Sequence, residues 1–285
     1  MPAYCRPTAY AMFAQQMPRL DSTSALFRAA FAIAMHEHPA ADLERAEAAI
    51  SSLANAVNGR VQSKNPQARL AHLHDVMFDV SGFRGNTDDY YDPRNSFLND
   101  VLERRVGIPI SLSVVYLEVA RRIDLPLLGI NFPGHFLIRY PGPELPVVLD
   151  VFAGAAEVPE TALRDRVQQA YPDIDDAGAQ EFVTRLLRGT ARKDILARML
   201  TNLKMIFLRR QELESAIAAI DRILVLRPEA AEELRDRGAV YHQLECFGAA
   251  LVDYTRYLAL RPTAADASDV GAAVVELERL AAHVH

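Results

Sequence analysis

His135 and Asp150 lie on two short apolar runs that read as one hairpin. Residues 135–140 (His-Phe-Leu-Ile-Arg-Tyr) are strand-like, Pro141-Gly142-Pro143-Glu144 reads as a turn, and residues 145–150 return as a second strand. If Tyr140 pairs with Leu145, His135 falls directly opposite Asp150, with Cβ atoms about 4.5–5.5 Å apart. A carboxylate so placed accepts an imidazole N–H, fixes the tautomer and orients a general base. The nucleophile that would complete a triad is Ser111, in the first turn of a helix opening at Pro109, where the positive helix end favours a developing anion. In that arrangement Ser111 attacks, His135 is the base and Asp150 the orienter of a hydrolase or acyl transferase. A serine hydroxyl needs its base in contact and an oxyanion hole. A serine at such a position is more often a first-turn capping residue than a nucleophile, and Ser113 lies further into the helix.

These residues need elements to position them. From Ile110 to Ala120 only Ser111, Ser113, Tyr116 and Glu118 interrupt the apolar residues, so this helix is expected to be buried and central. Strands are expected near 127–132, 135–140 and 145–152. Helices are expected over 23–36, over 40–63 (Leu43, Ala46, Ile50, Leu53 and Val57 at helical spacing), over 66–80 and over 160–190. Gly82 and Gly85 break the third of these, 86–93 is an acidic loop, and Asn95 or Ser96 is placed to cap the helix running to Arg104. Toward the C-terminus, Pro228 and Pro262 mark a period of 34, the tetratricopeptide value. Leu200, Leu203, Phe207, Ala216, Ile220 and Ile223 fill the signature positions of one repeat; Leu234, Gly238, Tyr241, Ala250, Tyr254 and Tyr257 fill those of the next, with Arg237 at a usually apolar position.

Several blocks carry a more specific likeness: Gly82-Phe83-Arg84-Gly85-Asn86, Tyr90-Tyr91-Asp92-Pro93-Arg94-Asn95-Ser96, Gly107-Ile108-Pro109-Ile110-Ser111-Leu112 and Asn131-Phe132-Pro133-Gly134-His135-Phe136. Together they resemble the transglutaminase-like family with C-terminal tetratricopeptide repeats, related to the SirB invasion-gene regulators, over roughly residues 20 to 265. The resemblance implies an α+β fold: a papain/transglutaminase-like domain with a central buried helix against an antiparallel sheet, followed by an all-α tetratricopeptide-like domain. It also implies a Cys-His-Asp triad. His135 and Asp150 match it, but Pro109, Ile110 and Ser111 stand around the cysteine's place, and Asp150-Val151-Phe152-Ala153-Gly154-Ala155 departs from the family's Asp-Pro-Phe-x-Gly-Gly.

The expected organisation is a loose lead-in over 1–22, whose prolines obstruct a helix, a transglutaminase-like domain over 23–165, a helical connection over 166–196, and two repeats with a capping helix over 197–282. A net charge of −6 disfavours nucleic acid, and no apolar run approaches the roughly 18 residues of a membrane span. Cys5 and Cys246 are too few for a disulfide or metal framework, which points to the cytoplasm. His36 with His38 and His72 with His74 lack a ligand frame, and Asp88, Asp89 and Asp92 read as a solvated loop; no metal and no cofactor is expected. Tyr90 and Tyr91 read as packing residues beside the site. Two functions stay open. One is a non-enzymatic or vestigial regulatory protein whose repeats hold a protein or peptide partner or dock on the first domain. The other is the serine-dependent enzyme using Ser111, His135 and Asp150.

Overall fold

The computed structural model describes residues 2–22, 24–143 and 147–283, and divides into two compact units: Ala11–Met199, and Met1–Tyr10 with Leu200–His285. The expectation of a loose N-terminal lead-in does not hold, because Pro7–Gln16 forms helix α1 and Met17–Arg19 a single 3-10 turn. Pro7 and Pro18 each stand at the opening of their element, where a missing N–H leaves no bond unmade.

In the larger unit, α2 (Ala25–Glu37) buries every residue from Ala25 to Ala34 except Arg28, whose Nε donates to Glu47 at 2.7 Å. Helix α3 (Leu43–Asn58) starts on Asp42, which accepts the Glu44 and Arg45 N–H groups, and buries the stripe Ala46, Ile50, Leu53, Ala54 and Val57. Helix α4 (Pro66–His74), capped by Asn65, widens into a π-helical turn over Asp75–Val80. A two-residue strand β1 (Arg84–Gly85) then pairs in parallel with β2 (Val106–Gly107), on either side of α5 (Leu98–Arg104). Neither Asn95 nor Ser96 caps α5; its N-cap is Phe97, which offers no acceptor, and Asp92 caps the short turn Pro93–Asn95 instead.

Helix α6 (Pro109–Arg122) is buried from Pro109 through Tyr116 and again at Glu118–Ala120. It packs on α3, α5 and the sheet formed by β3 (Leu128–Phe132), β4 (His135–Arg139), β5 (Val148–Asp150) and β6 (Ala156–Glu157), antiparallel in that order. Helices α7 (Glu160–Ala170) and α8 (Asp176–Leu186) join Ile130, Phe132, Leu137 and Val148 of the sheet in one apolar cluster through Leu163, Val167, Ala179 and Val183. The helical connection expected over 166–196 is helical at Glu160–Ala170 and Asp176–Leu186, and these helices also form a layer of this unit. The fold is α+β, with a buried helix against an antiparallel sheet.

Helix α9 (Arg192–Arg210) carries the division between the units. The second unit continues with α10 (Leu213–Leu226), α11 (Ala231–Gln243), α12 (Phe247–Leu260) and α13 (Ala267–His283). The 34-residue period is visible in the backbone: α10 and α12 start and end 34 positions apart, and the left-handed residues before them, Gln211 and Glu245, have φ of 60° and 56°. Gly238 has no side chain because a Cβ there would stand 2.7 Å from the Tyr254 ring. Arg237, at an otherwise apolar position, is held by Asp253 at 2.7 Å and Asp221 at 2.5 Å, so an ion network replaces packing at that point. Residues 2–10 group with this unit, with the Cys5 thiol donating to Ala218 O at 3.8 Å and the Tyr4 ring beside Tyr241.

Candidate functional site

The hairpin that carries His135 turns tightly at Pro133-Gly134, with Phe132 opposite His135 and Gly134 at φ +67°, a left-handed position that suits glycine. The next pairing differs from the sequence expectation. Ile138 faces Leu149 and Arg139 faces Val148, two positions away from the register that put His135 straight across from Asp150. The expected Tyr140–Leu145 pair and the end of the turn at Glu144 involve residues outside those described. A two-residue shift keeps every side chain on its face, where one residue would have reversed them. His135 and Asp150 therefore meet on the diagonal, with Nε2 2.7 Å from Oδ1. The two atoms are in close contact, although Nε2 has no hydrogen-bond partner of good geometry.

Asp150 has a second task. It ends β5 by accepting the N–H groups of Phe152 (3.1 Å) and Ala153 (3.3 Å), which starts a 3-10 turn and stops the strand short of residue 152. Burial pushes its carboxyl up, but the contact with His135 and the backbone bond from Ala153 outweigh burial and hold it below the ordinary carboxylate value. Phe152 presents its edge to the His135 ring at 6.2 Å and meets Tyr90, whose ring in turn touches Tyr91. Gly85 makes room for this wall, since a Cβ there would fall 2.6 Å from the Phe152 ring. Burial raises the Tyr90 phenol, opposed by the charge of Arg198. Tyr90 and Tyr91 remain substantially exposed, so the wall faces solvent on one side.

Arg198 is the residue that sequence reading misses. From α9 its Nη1 donates to Phe132 O (3.0 Å), to His135 O (2.8 Å) and to Asn131 Oδ1, clamping both strands of the hairpin at the histidine. No local pattern marks it, because its partners lie more than sixty positions away.

Ser111 is placed differently from a nucleophile. It is fully buried; its hydroxyl donates to Asn95 O at 2.5 Å, lies 3.1 Å from Ile108 O, and accepts the Ile108 N–H at 3.1 Å. Ile108, the N-cap of α6, has no side-chain acceptor, and Ser111 reaches back to satisfy its backbone donor. Asn95, also fully buried, organises the loop above: it donates to Asp89 O (2.7 Å) and Tyr90 O (3.3 Å) and accepts from Asn86 at 3.0 Å. Asp92 is buried rather than solvated. Burial pushes its carboxyl up, yet side-chain and backbone hydrogen bonds from Arg94 bring it below its ordinary value. Ser113 Oγ, deeper in α6, is buried with no hydrogen-bond partner. The hairpin thus holds a histidine–aspartate pair beside an aromatic wall, while the serine at the helix start is bonded to backbone.

Residues 44–201 match the family model described as the transglutaminase-like superfamily, and residues 203–274 match a tetratricopeptide repeat model. A UPF0162 protein of Xylella fastidiosa (strain Temecula1) is 37% identical over 267 residues, covering 92% of this chain and 94% of that protein. A UPF0162 protein of Vibrio cholerae is 31% identical over 200 residues, 70% of this chain and 72% of that protein. The mouse F-box only protein 21 is 31% identical over 190 residues, 61% of this chain but 28% of that longer protein. No solved structure matches the chain significantly.

Proposed function

The chain belongs to the transglutaminase-like superfamily, and we propose that it is a member without acyl-transfer activity, a regulatory protein whose tetratricopeptide repeats hold a protein or peptide partner. The observation that carries this reading is the state of Ser111: its hydroxyl bonds backbone at Asn95 and Ile108 and caps a helix, with no base in contact. No thiol replaces it. The chain's two cysteines, Cys5 and Cys246, lie in the residues of the repeat unit, and burial pushes the Cys5 thiol up to about 12, far from a reactive thiolate. In this reading His135 and Asp150 serve as a fixed polar feature of the hairpin end. Stacked helix pairs of the tetratricopeptide kind present a concave face suited to an extended or helical segment, which supports a protein partner. Neither cysteine is in a disulfide, and no helix among the described residues is long and apolar enough to cross a membrane; both fit a cytoplasmic setting.

The alternative, a serine-dependent hydrolase or acyl transferase, rests on the 2.7 Å contact between His135 and Asp150. A fluorophosphonate probe applied to wild type, Ser111→Ala and His135→Gln distinguishes the two. The expected result is no specific labelling of any of them. Labelling of wild type that disappears in both variants would overturn the proposal and establish Ser111 as nucleophile with His135 as its base.

A further inference from the structure

The unit of residues 11–199 contains a second polar cleft, of about 510 Å3, lined by none of the residues around His135. Ala40, Ala41, Ala46, Ala49, Phe31 and Leu102 give it an apolar floor, and His38, Asn99 and Arg105 its polar side, with Asp42, Arg45 and Glu103 also lining it. Two of its buried polar atoms, Asn99 Oδ1 and Arg105 Nη1, have no hydrogen-bond partner. Buried donors and acceptors are almost always satisfied, so a donor and an acceptor left open at one cleft mark a place prepared for something else. Arg105 lies over the Phe83 ring at 4.8 Å without a carboxylate beside it. It also closes α5 with φ of 61°, a conformation that glycine adopts at far lower cost.

The other large cavity of this unit, about 570 Å3, shows what a cleft without such open groups looks like. There Glu118 is held by Arg121 at 2.8 and 2.9 Å and by Arg122 at 3.0 Å, and Arg192 donates to Leu20 O and Ser22 O. None of the residues lining it has a buried side-chain polar atom without a hydrogen-bond partner. In the Arg105 cleft a buried donor, Arg105 Nη1, and a buried acceptor, Asn99 Oδ1, stay open, and exposed charges of both signs, Arg45 and Glu103, line it beside them. A simple anion would leave the acceptors open and a simple cation would leave the guanidinium open.

We infer that this cleft binds a small zwitterion of the α-amino-acid type with an aliphatic side chain. The carboxylate bonds the Arg105 guanidinium, the ammonium bonds Asn99 Oδ1 and Glu103, and the aliphatic group rests on the alanine floor and Phe31. His38 reports on occupancy: it lines the cleft, with Asp100 at 3.0 Å on one side and the Phe97 ring edge-on at 5.2 Å.

The test titrates the full-length chain with L-leucine, 4-methylpentanoate (no ammonium) and L-leucinamide (no carboxylate), followed by calorimetry and by the imidazole NMR signals of His38 and His135. L-leucine is expected to saturate, moving His38 and leaving His135 in place. Each truncated probe should bind at least about tenfold more weakly, the loss expected for one charge-assisted bond. Arg105→Gln should reduce L-leucine to the affinity of L-leucinamide without changing L-leucinamide. Asn99→Ala, a second variant in case the first does not fold, should weaken L-leucine and L-leucinamide but not 4-methylpentanoate. The inference is overturned if L-leucine gives no saturable shift by on the order of 10 mM. It is equally overturned if 4-methylpentanoate binds as well as L-leucine, or if folded Arg105→Gln leaves L-leucine binding unaltered.

Discussion

Two histidine–aspartate pairs among the described residues have nearly the same geometry and opposite electrostatic character. His135 stands 2.7 Å from Asp150, and His38 stands 3.0 Å from Asp100. Burial pushes both carboxyls up. In Asp150 that effect is overcome by His135 and by the N–H of Ala153, and the carboxyl titrates below its ordinary value of 3.8. In Asp100 burial prevails over His38 and the nearby arginines, and the carboxyl titrates above 3.8. The difference lies in what opposes burial: at Asp150 the contact with His135 stabilises the charge most and the main-chain donors of the turn it caps add to it, whereas Asp100 sits inside the first turn of α5 with Oδ2 lacking a hydrogen-bond partner. Pairing with a histidine does not by itself decide the charge of a buried carboxylate; the balance between burial and all the donors in contact with it does.

The largest expected effect separates the two pairs by stability. Asp150→Ala loses the turn cap and strands His135, and should lower the unfolding free energy by about 2–3 kcal/mol. Asp100→Asn removes a carboxyl whose charge is already disfavoured and should cost less than about 1 kcal/mol. Urea denaturation of both variants checks this, and equal losses would break the comparison.

A smaller effect probes the aromatic wall of one pair alone. Gly85→Ala drives a methyl into the Phe152 ring, so Phe152 must move away from His135. The expected loss is about 1–2 kcal/mol, the range for overpacking, together with a changed His135 ring signal and an unchanged His38 signal.

The smallest effect appears in acid, and its sign differs between the pairs. Asp150, with its lowered value, contributes stability that is complete above pH 3.8 and is lost as pH falls through the folded value. Asp100, with its raised value, binds a proton more readily in the folded state, so its contribution improves as pH falls from the raised value toward 3.8. The stability gap between wild type and Asp150→Asn should therefore narrow in acid. The gap between wild type and Asp100→Asn should shift toward wild type, by roughly 1 kcal/mol per unit of displacement. Parallel curves would mean that the two carboxyls share one environment.

The sequence by itself determined those features that follow from a repeat along the chain. The apolar girdle of Ile110–Ala120 required a buried α6, and the 34-residue spacing of Pro228 and Pro262 reappears in the starts of α10 and α12. Alternation in the strands put His135 and Asp150 on one face, and that survived a two-residue error in register because faces depend on parity alone. Only the tertiary structure decided which register was used, that Asp150 would cap a turn, that Arg198 would grip the hairpin, and that Ser111 would give its hydroxyl to Asn95 and Ile108. Each of these is a hydrogen bond to a main-chain group. Backbone donors and acceptors are identical at almost every residue, so the sequence carries no local mark of which one a side chain will meet; the packing of distant segments makes that choice.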